Sequence, residues 1–326
     1  MSTGTPETKP SRLVADIGGT HARFALSTSV DDIRNVSVVN VADYPSIVDA
    51  IKGYLHSVGS PAITHAAIGI ANPIVGDHVK MTNFPWEFSI EATREACGFE
   101  KLHVINDFTA LALALPHLPQ SELRAVGGGQ AVAGTPLGVV GPGTGLGVSA
   151  LIPTSQGWVP LAAEGGHVSF APSDQQELLL WQEAHEEFGH VSMERLVSGS
   201  GLQFIYQKLC RRAGNKGLDY SASDISKHAI ADSSNHCRQA LDTFCAILGT
   251  VASNLALMLG ARGGIYIGGG IIPKLDGYFA DSPFRQRFND KGRFSDYMAA
   301  IPVFVITSEN PALTGAAAYL DACINE

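Results

Sequence analysis

Two short stretches, far apart in the chain, share one layout. Leu13 to Ile17 is apolar apart from Asp16, Gly18-Gly19-Thr20 follows, and Ala22 to Leu26 is strand-like again. Leu137 to Val140 is apolar, Gly141-Pro142-Gly143-Thr144-Gly145 follows, and Gly147 to Ile152 reads as a second strand. Strand, glycine turn, strand describes a hairpin, because glycine supplies the positive φ that tight hairpin turns need. Laid over each other, Gly19-Thr20 falls on Gly143-Thr144, and Ala22, Phe24 and Leu26 fall on Leu146, Val148 and Ala150. The match is short. Still, two halves that open alike suggest duplication of one α/β unit.

The chain has 326 residues, enough for two domains or one large one with an ample core. Val36 to Val41 reads as a third strand, and Pro45 to Val58 has helical spacing that stops at Gly59. Ala66 to Ala71 is a buried strand broken by Asn72-Pro73, and a loop with Met81-Thr82-Asn83 follows. Ser89 is the expected N-cap of a helix over Ile90 to Cys97, with Gly98 as its stop. Beyond the second hairpin the chain reads as mostly helical. Gln175 to Glu187 is amphipathic, Ser192 caps a short helix, Ser200 caps 201–212, and Ser221 to Ala231 follows. Ser233 or Ser234 starts a long helix ending at Gly260. Gly264 to Ile267 and Ile301 to Thr307 are the last strands, and Ala312 to Cys323 a terminal helix.

Composition excludes several classes. Hydrophobic residues make up 45% and charged residues 16%, as in ordinary globular proteins, and the net charge of −9 opposes general binding of nucleic acid. Cys97, Cys210, Cys237, Cys245 and Cys323 are odd in number and scattered, the usage of reduced thiols rather than a disulfide frame or zinc site. The polar start MSTGTPETKPSR has no apolar core for a signal peptide, so the cytoplasm is the expected compartment. The apolar run Cys245 to Gly260 contains Thr250, Ser253 and Asn254, and is expected to fall short of a membrane span and to form a buried helix.

Leu102 to Leu115 carries the chemistry. A strand-like run delivers Asn106 and Asp107, and a helical run starts behind them. In open α/β sheets ligands bind at the carboxyl ends of strands, so an amide and a carboxylate there suit a polar substrate. Alternatively, Asp107 merely caps the helix. The glycine turns are neither a P-loop nor a dinucleotide fingerprint, since G-x-x-x-x-G-K-[ST] is absent and a strand follows Gly143 to Gly147. One turn alone reads as structural; a pair of Gly-Thr turns can grip a polyphosphate, with the Thr20 and Thr144 hydroxyls assisting the backbone donors. Asp16 is a charge in an apolar strand, which is costly unless paired or bound to a cation such as Mg²⁺ through water. The alternative is a core Asp bonded to its own glycine turn. Glu164-Gly165-Gly166-His167 lacks the helical spacing of a zinc site and instead suits several hydroxyl groups. Glu194 fits equally as a helix-dipole carboxylate.

Together DIGGTHARFAL (16–26), INDFTALALA (105–114), GPGTGLGVSALI (141–152), EGGHVSFAP (164–172) and IGGGIIPKL (267–275) resemble the bacterial glucokinases. These form the ATP-dependent, non-repressor branch of the hexokinase, Hsp70 and actin superfamily. The resemblance runs in order from Leu13 to the terminal helix. It implies an actin-like ATPase (ribonuclease H-like) α/β fold of two domains that close over glucose and ATP. The small domain would hold 1–117 with 308–326, and the large one 118–307. It further implies that Asn106, Asp107, Glu164, His167 and Glu194 hold the glucose hydroxyls, with Asp107 as catalytic base. Asp16, Gly18, Gly19 and Thr20 match the first phosphate motif, Gly143, Thr144 and Gly145 the second, and Gly268, Gly269 and Gly270 the adenosine motif. ATP, Mg²⁺ near Asp16, a homodimer and the first step of glycolysis are implied with them. The cysteine-rich zinc motif and helix-turn-helix of the related ROK proteins are absent from the sequence, and the Asn72-Pro73 loop is expected at most at the edge of a sugar site.

Overall fold

The computed structural model describes residues 11–82, 84–231, 235–275 and 277–324. Asn83, Ser233, Ser234 and the polar start through Pro10 lie outside the described residues. The chain divides into two compact units, with the boundaries falling between Leu118 and Pro119 and between Ser308 and Glu309.

In the first unit the strands are β1 (Arg12–Ile17), β2 (His21–Ser29), β3 (Asp32–Asn40), β4 (His65–Ile70), β5 (His78–Lys80), β6 (Glu87–Ser89) and β7 (Lys101–Asn106). The main sheet runs β3-β2-β1-β4-β7. β1 and β2 pair antiparallel, whereas β1, β4 and β7 are parallel, so their carboxyl ends share one edge. Alternation along β1 sorts its side chains between two faces. Leu13, Ala15 and Ile17 join a core with α1 (Ile47–Ser57). Val14 packs instead against Leu313, Ala316 and Leu320 of the C-terminal helix, Pro311–Ile324, and Arg12 pairs with Asp321 of that helix. Asp16 has the same parity as Val14 and so shares this second face. α2 (Ile90–Cys97) has the expected ends: Ser89 accepts Ala92 N–H and Gly98 is left-handed. The β5–β6 hairpin occupies what the sequence suggests is plain loop.

In the second unit the strands are β8 (Leu123–Ala125), β9 (Leu137–Pro142), β10 (Leu146–Thr154), β11 (Gly157–Ala163), β12 (Gly264–Ile267) and β13 (Val303–Ile306), in the order β11-β10-β9-β12-β13-β8. Without β8, both the order and the pairing senses repeat those of β3-β2-β1-β4-β7. Duplication therefore extends well beyond the short hairpin match. What differs is the crossover. α1 alone fills the place taken in the second unit by α4 (Gln175–Phe188), α5 (Met193–Leu196), α6 (Gly199–Arg212), α7 (Ala222–Ile230) and α8 (Asn235–Leu259).

Three expectations need correcting. The cap of α6 is Ser198 rather than Ser200, because Ser198 Oγ accepts Gly201 N–H while Gly199 N–H donates to Gly143 O. None of Gly18, Gly19, Gly143 and Gly145 adopts positive φ, so these turns do not need glycine for its backbone freedom. Finally, His236–Leu259 does not fall short of a membrane span by length and composition; the expected buried helix holds, since it is mostly buried and is the central helix of this unit's core.

Candidate active site

At the carboxyl edge of the first sheet, Asp16 lies in register with Gly69, and Gly69 with Ile105. A Cβ on Gly69 would come within 3.7 Å of Asp107 Cα and 3.3 Å of Ala110 Cβ, so its absence lets α3 (Asp107–Ala114) lie on the sheet face that Asp16 shares. The first unit thus gathers Asp16, the Gly18–Thr20 turn, Asn106 and Asp107 at one end of one face. The cap of α3 is Asn106: its Oδ1 accepts Phe108 N–H at 2.9 Å and Thr109 N–H at 3.1 Å. Asp107 Oδ1 shares the Phe108 N–H at 2.9 Å. Asn106 Nδ2 donates to Asn72 O at 3.4 Å, and the Asn72 side chain bonds Thr82 and Lys80, holding the β5–β6 segment to this edge.

Arg23 faces Asp16 across the hairpin, Nη1 to Oδ2 at 3.3 Å. Burial pushes the Asp16 carboxyl above the usual carboxylate range, and the neighbouring guanidinium pulls part of that back. The equivalent rung of the second hairpin is Gly141 opposite Gly147, so only the first hairpin carries this charged pair. Each hairpin closes through the amide of its first turn glycine, but the turns differ by one residue: Gly18 N–H donates to His21 O at 3.0 Å, and Gly143 N–H to Gly145 O at 2.8 Å.

In the second unit the expected sugar and nucleotide residues converge on the start of β10. Glu194, in the first turn of α5, accepts Leu146 N–H on Oε2 at 2.8 Å. Glu164 and His167, 3.8 Å apart and both more than half exposed, flank Gly165 and Gly166. These two glycines pack on Val148 and Leu146 so closely that a Cβ on either would overlap β10. Gly268-Gly269-Gly270 follows β12 beside the Gly143–Gly145 turn; Gly269 has φ +78°, and a Cβ there would strike Pro142 O. Every site residue expected in this unit is therefore referenced to residues 140–148.

Sequence reasoning missed Arg23 and the Leu146 amide, and placed Asn72 at the edge of the site without its bonds to Asn106, Lys80 and Thr82. Arg23 was readable, since a hairpin with Ile17 opposite Ala22 must place residue 23 against residue 16. The bonds of Asn72 span 8, 10 and 34 residues and that of Leu146 spans 48, so they leave no local signal.

Two α/β units of one strand order, each opening on a glycine turn and one offering a carboxylate at its strand ends, define a nucleotide-using phosphotransferase of the actin-like ATPase fold. The glucokinase family profile matches residues 13–323. The chain is 54% identical over 320 residues to the glucokinase of Chromobacterium violaceum, covering 98% of this chain and 92% of that one. It is 54% identical over 310 residues to that of Neisseria meningitidis serogroup C, covering 95% and 94%. A crystal structure of glucokinase from an Antarctic psychrotroph superposes with a TM-score of 0.87 at 38% identity, covering 96% of this chain and 99% of the other. The chain belongs to the glucokinase family, and is an ATP-using sugar kinase that phosphorylates glucose.

Proposed function

We propose that the γ-phosphoryl group of ATP passes to the 6-hydroxyl of glucose with Asp107 as the base. As the hydroxyl oxygen attacks phosphorus in line and the bond to ADP breaks, Asp107 accepts the hydroxyl proton. A carboxylate is a weak base, so the transfer comes late, and orientation of the hydroxyl is the larger part of its work. The observation that carries this reading is that Asn106 caps α3 through two amides, which leaves Asp107 unnecessary as the cap.

Asn106, Asp107, Glu164, His167 and Glu194 bind the sugar hydroxyls. Because Asn106 Oδ1 is committed to the cap, its contribution is donation from Nδ2. The Gly18 and Gly143 amides close their own turns, so Gly19, Thr20, Thr144 and Gly145 supply the phosphate donors, with Gly268, Gly269 and Gly270 along the adenosine. Asp16 fits Mg²⁺: it is a hard oxygen donor near the carboxyl end of β1, two residues before the Gly18–Thr20 turn. Mg²⁺ commonly takes one or two carboxylates plus substrate phosphates and keeps several waters. Bound there it would neutralise charge on the phosphates. A homodimer in the cytoplasm completes the reading.

The test is ADP release from Mg-ATP with glucose, mannose, fructose, glucosamine and a no-sugar blank. Turnover with glucose far above the blank is expected. A blank as fast as the glucose reaction, or silence with every sugar, would overturn the mechanism. Equal turnover with mannose or fructose would widen the substrate to hexoses.

A further inference from the structure

The Gly143–Gly145 turn carries a second feature that phosphate binding does not explain. Gly145 is not glycine for its backbone, whose φ lies outside the left-handed region. Nor does it make room for neighbouring main chain. A Cβ built there would meet two atoms within 4 Å, and both belong to Glu194: Oε2 at 2.5 Å and Cδ at 3.3 Å. The missing side chain is filled by the Glu194 carboxylate, whose Oε2 accepts the N–H of the next residue, Leu146, at 2.8 Å.

We propose that Gly145 and the Leu146 amide position Glu194 for the sugar, so that the turn assigned to ATP phosphate also sets glucose affinity. The inference rests on the proposed sugar role of Glu194. A backbone donor cannot rotate away as a side chain can, and it fixes which oxygen is spent. With Oε2 committed, Oε1 is the oxygen presented to a sugar hydroxyl. Glu194 is itself held on a short backbone frame. Ser192 caps its helix, Met193 N–H donates to Val168 O at 2.9 Å, and Gly199 N–H donates to Gly143 O at 2.9 Å. The turn is therefore tied to the α5–α6 segment at both of its ends. A nucleotide phosphate that settles the turn also settles Glu194, and by reciprocity a bound sugar settles the turn.

The test is a double-mutant cycle read as glucose KM, with ATP KM and thermal midpoint measured beside it. Gly145→Ala is expected to raise glucose KM about tenfold, with a smaller change in ATP KM, because the added methyl displaces the carboxylate. In a Glu194→Asp background, where the shorter side chain leaves room for the methyl, the same substitution is expected to change glucose KM less than about twofold. Equal factors in the two backgrounds would overturn the proposal. If Gly145→Ala alone does not fold, recovery of folding by added Glu194→Asp supports the contact, and continued failure to fold overturns it. Glu194→Gln separates the underlying reading, since its amide keeps an acceptor for Leu146 N–H but turns a donor toward the sugar. Unchanged glucose KM in both Glu194→Gln and Glu194→Asp would remove Glu194 from the sugar site altogether.

Discussion

Arg23 Nη1 lies 3.3 Å from Asp16 Oδ2 across the first hairpin, opposite a carboxyl that burial pushes upward. Arg23→Gln removes the group that pulls the carboxyl back down, so Asp16 stays protonated to a higher pH. If Asp16 serves Mg-ATP ionised, the acid limb of kcat/KM for ATP moves to higher pH in the variant. An unmoved limb would show that Asp16 ionisation does not limit the reaction.

Asp16→Asn separates function from stability. Turnover is expected to fall about a hundredfold or more as the ion-binding carboxylate is lost. Stability should move the other way. A carboxyl raised in the folded state binds its proton more tightly there than in the unfolded chain, so its stabilising share is full below the unfolded value and is lost as pH rises through the folded one. The Tm of Asp16→Asn should therefore gain on the wild type as pH rises through that window, as calorimetry across acid to neutral pH would register. A variant that loses ground with rising pH contradicts this sign.

Gly315, in the C-terminal helix, marks where that helix crosses α3. Alanine normally favours a helix interior over glycine by about 1 kcal/mol. Here a Cβ would fall inside the van der Waals radius of Ala110 O, so the sign inverts. Gly315→Ala is expected to cost about 2 kcal/mol through overpacking and backbone shift. Urea denaturation measures it, and a stabilised variant would mean that the two helices are not held at this distance.

What the sequence disclosed was what is local. Ser89 and Gly98 bound α2 because a cap and a left-handed stop sit next to the residues they terminate. The hairpins showed as apolar runs around glycine. By contrast, the β5–β6 hairpin has only three residues per strand and is held by the side chain of Asn72, so no alternation reveals it. The sequence points to Ser200 as the cap of α6, whereas Ser198 takes the place beside a bond from Gly199 to Gly143, 56 positions earlier. The common strand order of the two units rests on pairings between distant segments, of which the short Gly-Thr repeat was the visible remnant. Glu194 was opaque for the same reason. Its informative partner is a backbone amide, and every residue but proline has one.

Exchanging amide and acid at 106 and 107 tests the proposed division of labour directly. Asp107→Asn preserves an acceptor for Phe108 N–H, so the fold should hold and glucose should still bind weakly, while kcat falls by about 10²–10⁴-fold with the base gone. Asn106→Asp is the opposite case. Asp caps helices as well as Asn, so α3 keeps its cap, while loss of the Nδ2 bond to Asn72 O should cost about 1 kcal/mol. The variant nevertheless replaces the Nδ2 donor by a second carboxylate beside Asp107, and a site built to donate loses that bond. Glucose affinity should fall by about a hundredfold, read by calorimetry without nucleotide. Should Asp107→Asn keep most of its activity, Asp107 is not the base. Should Asn106→Asp bind glucose normally, Asn106 serves only α3 and the Asn72 loop, and the sugar must find its donors elsewhere.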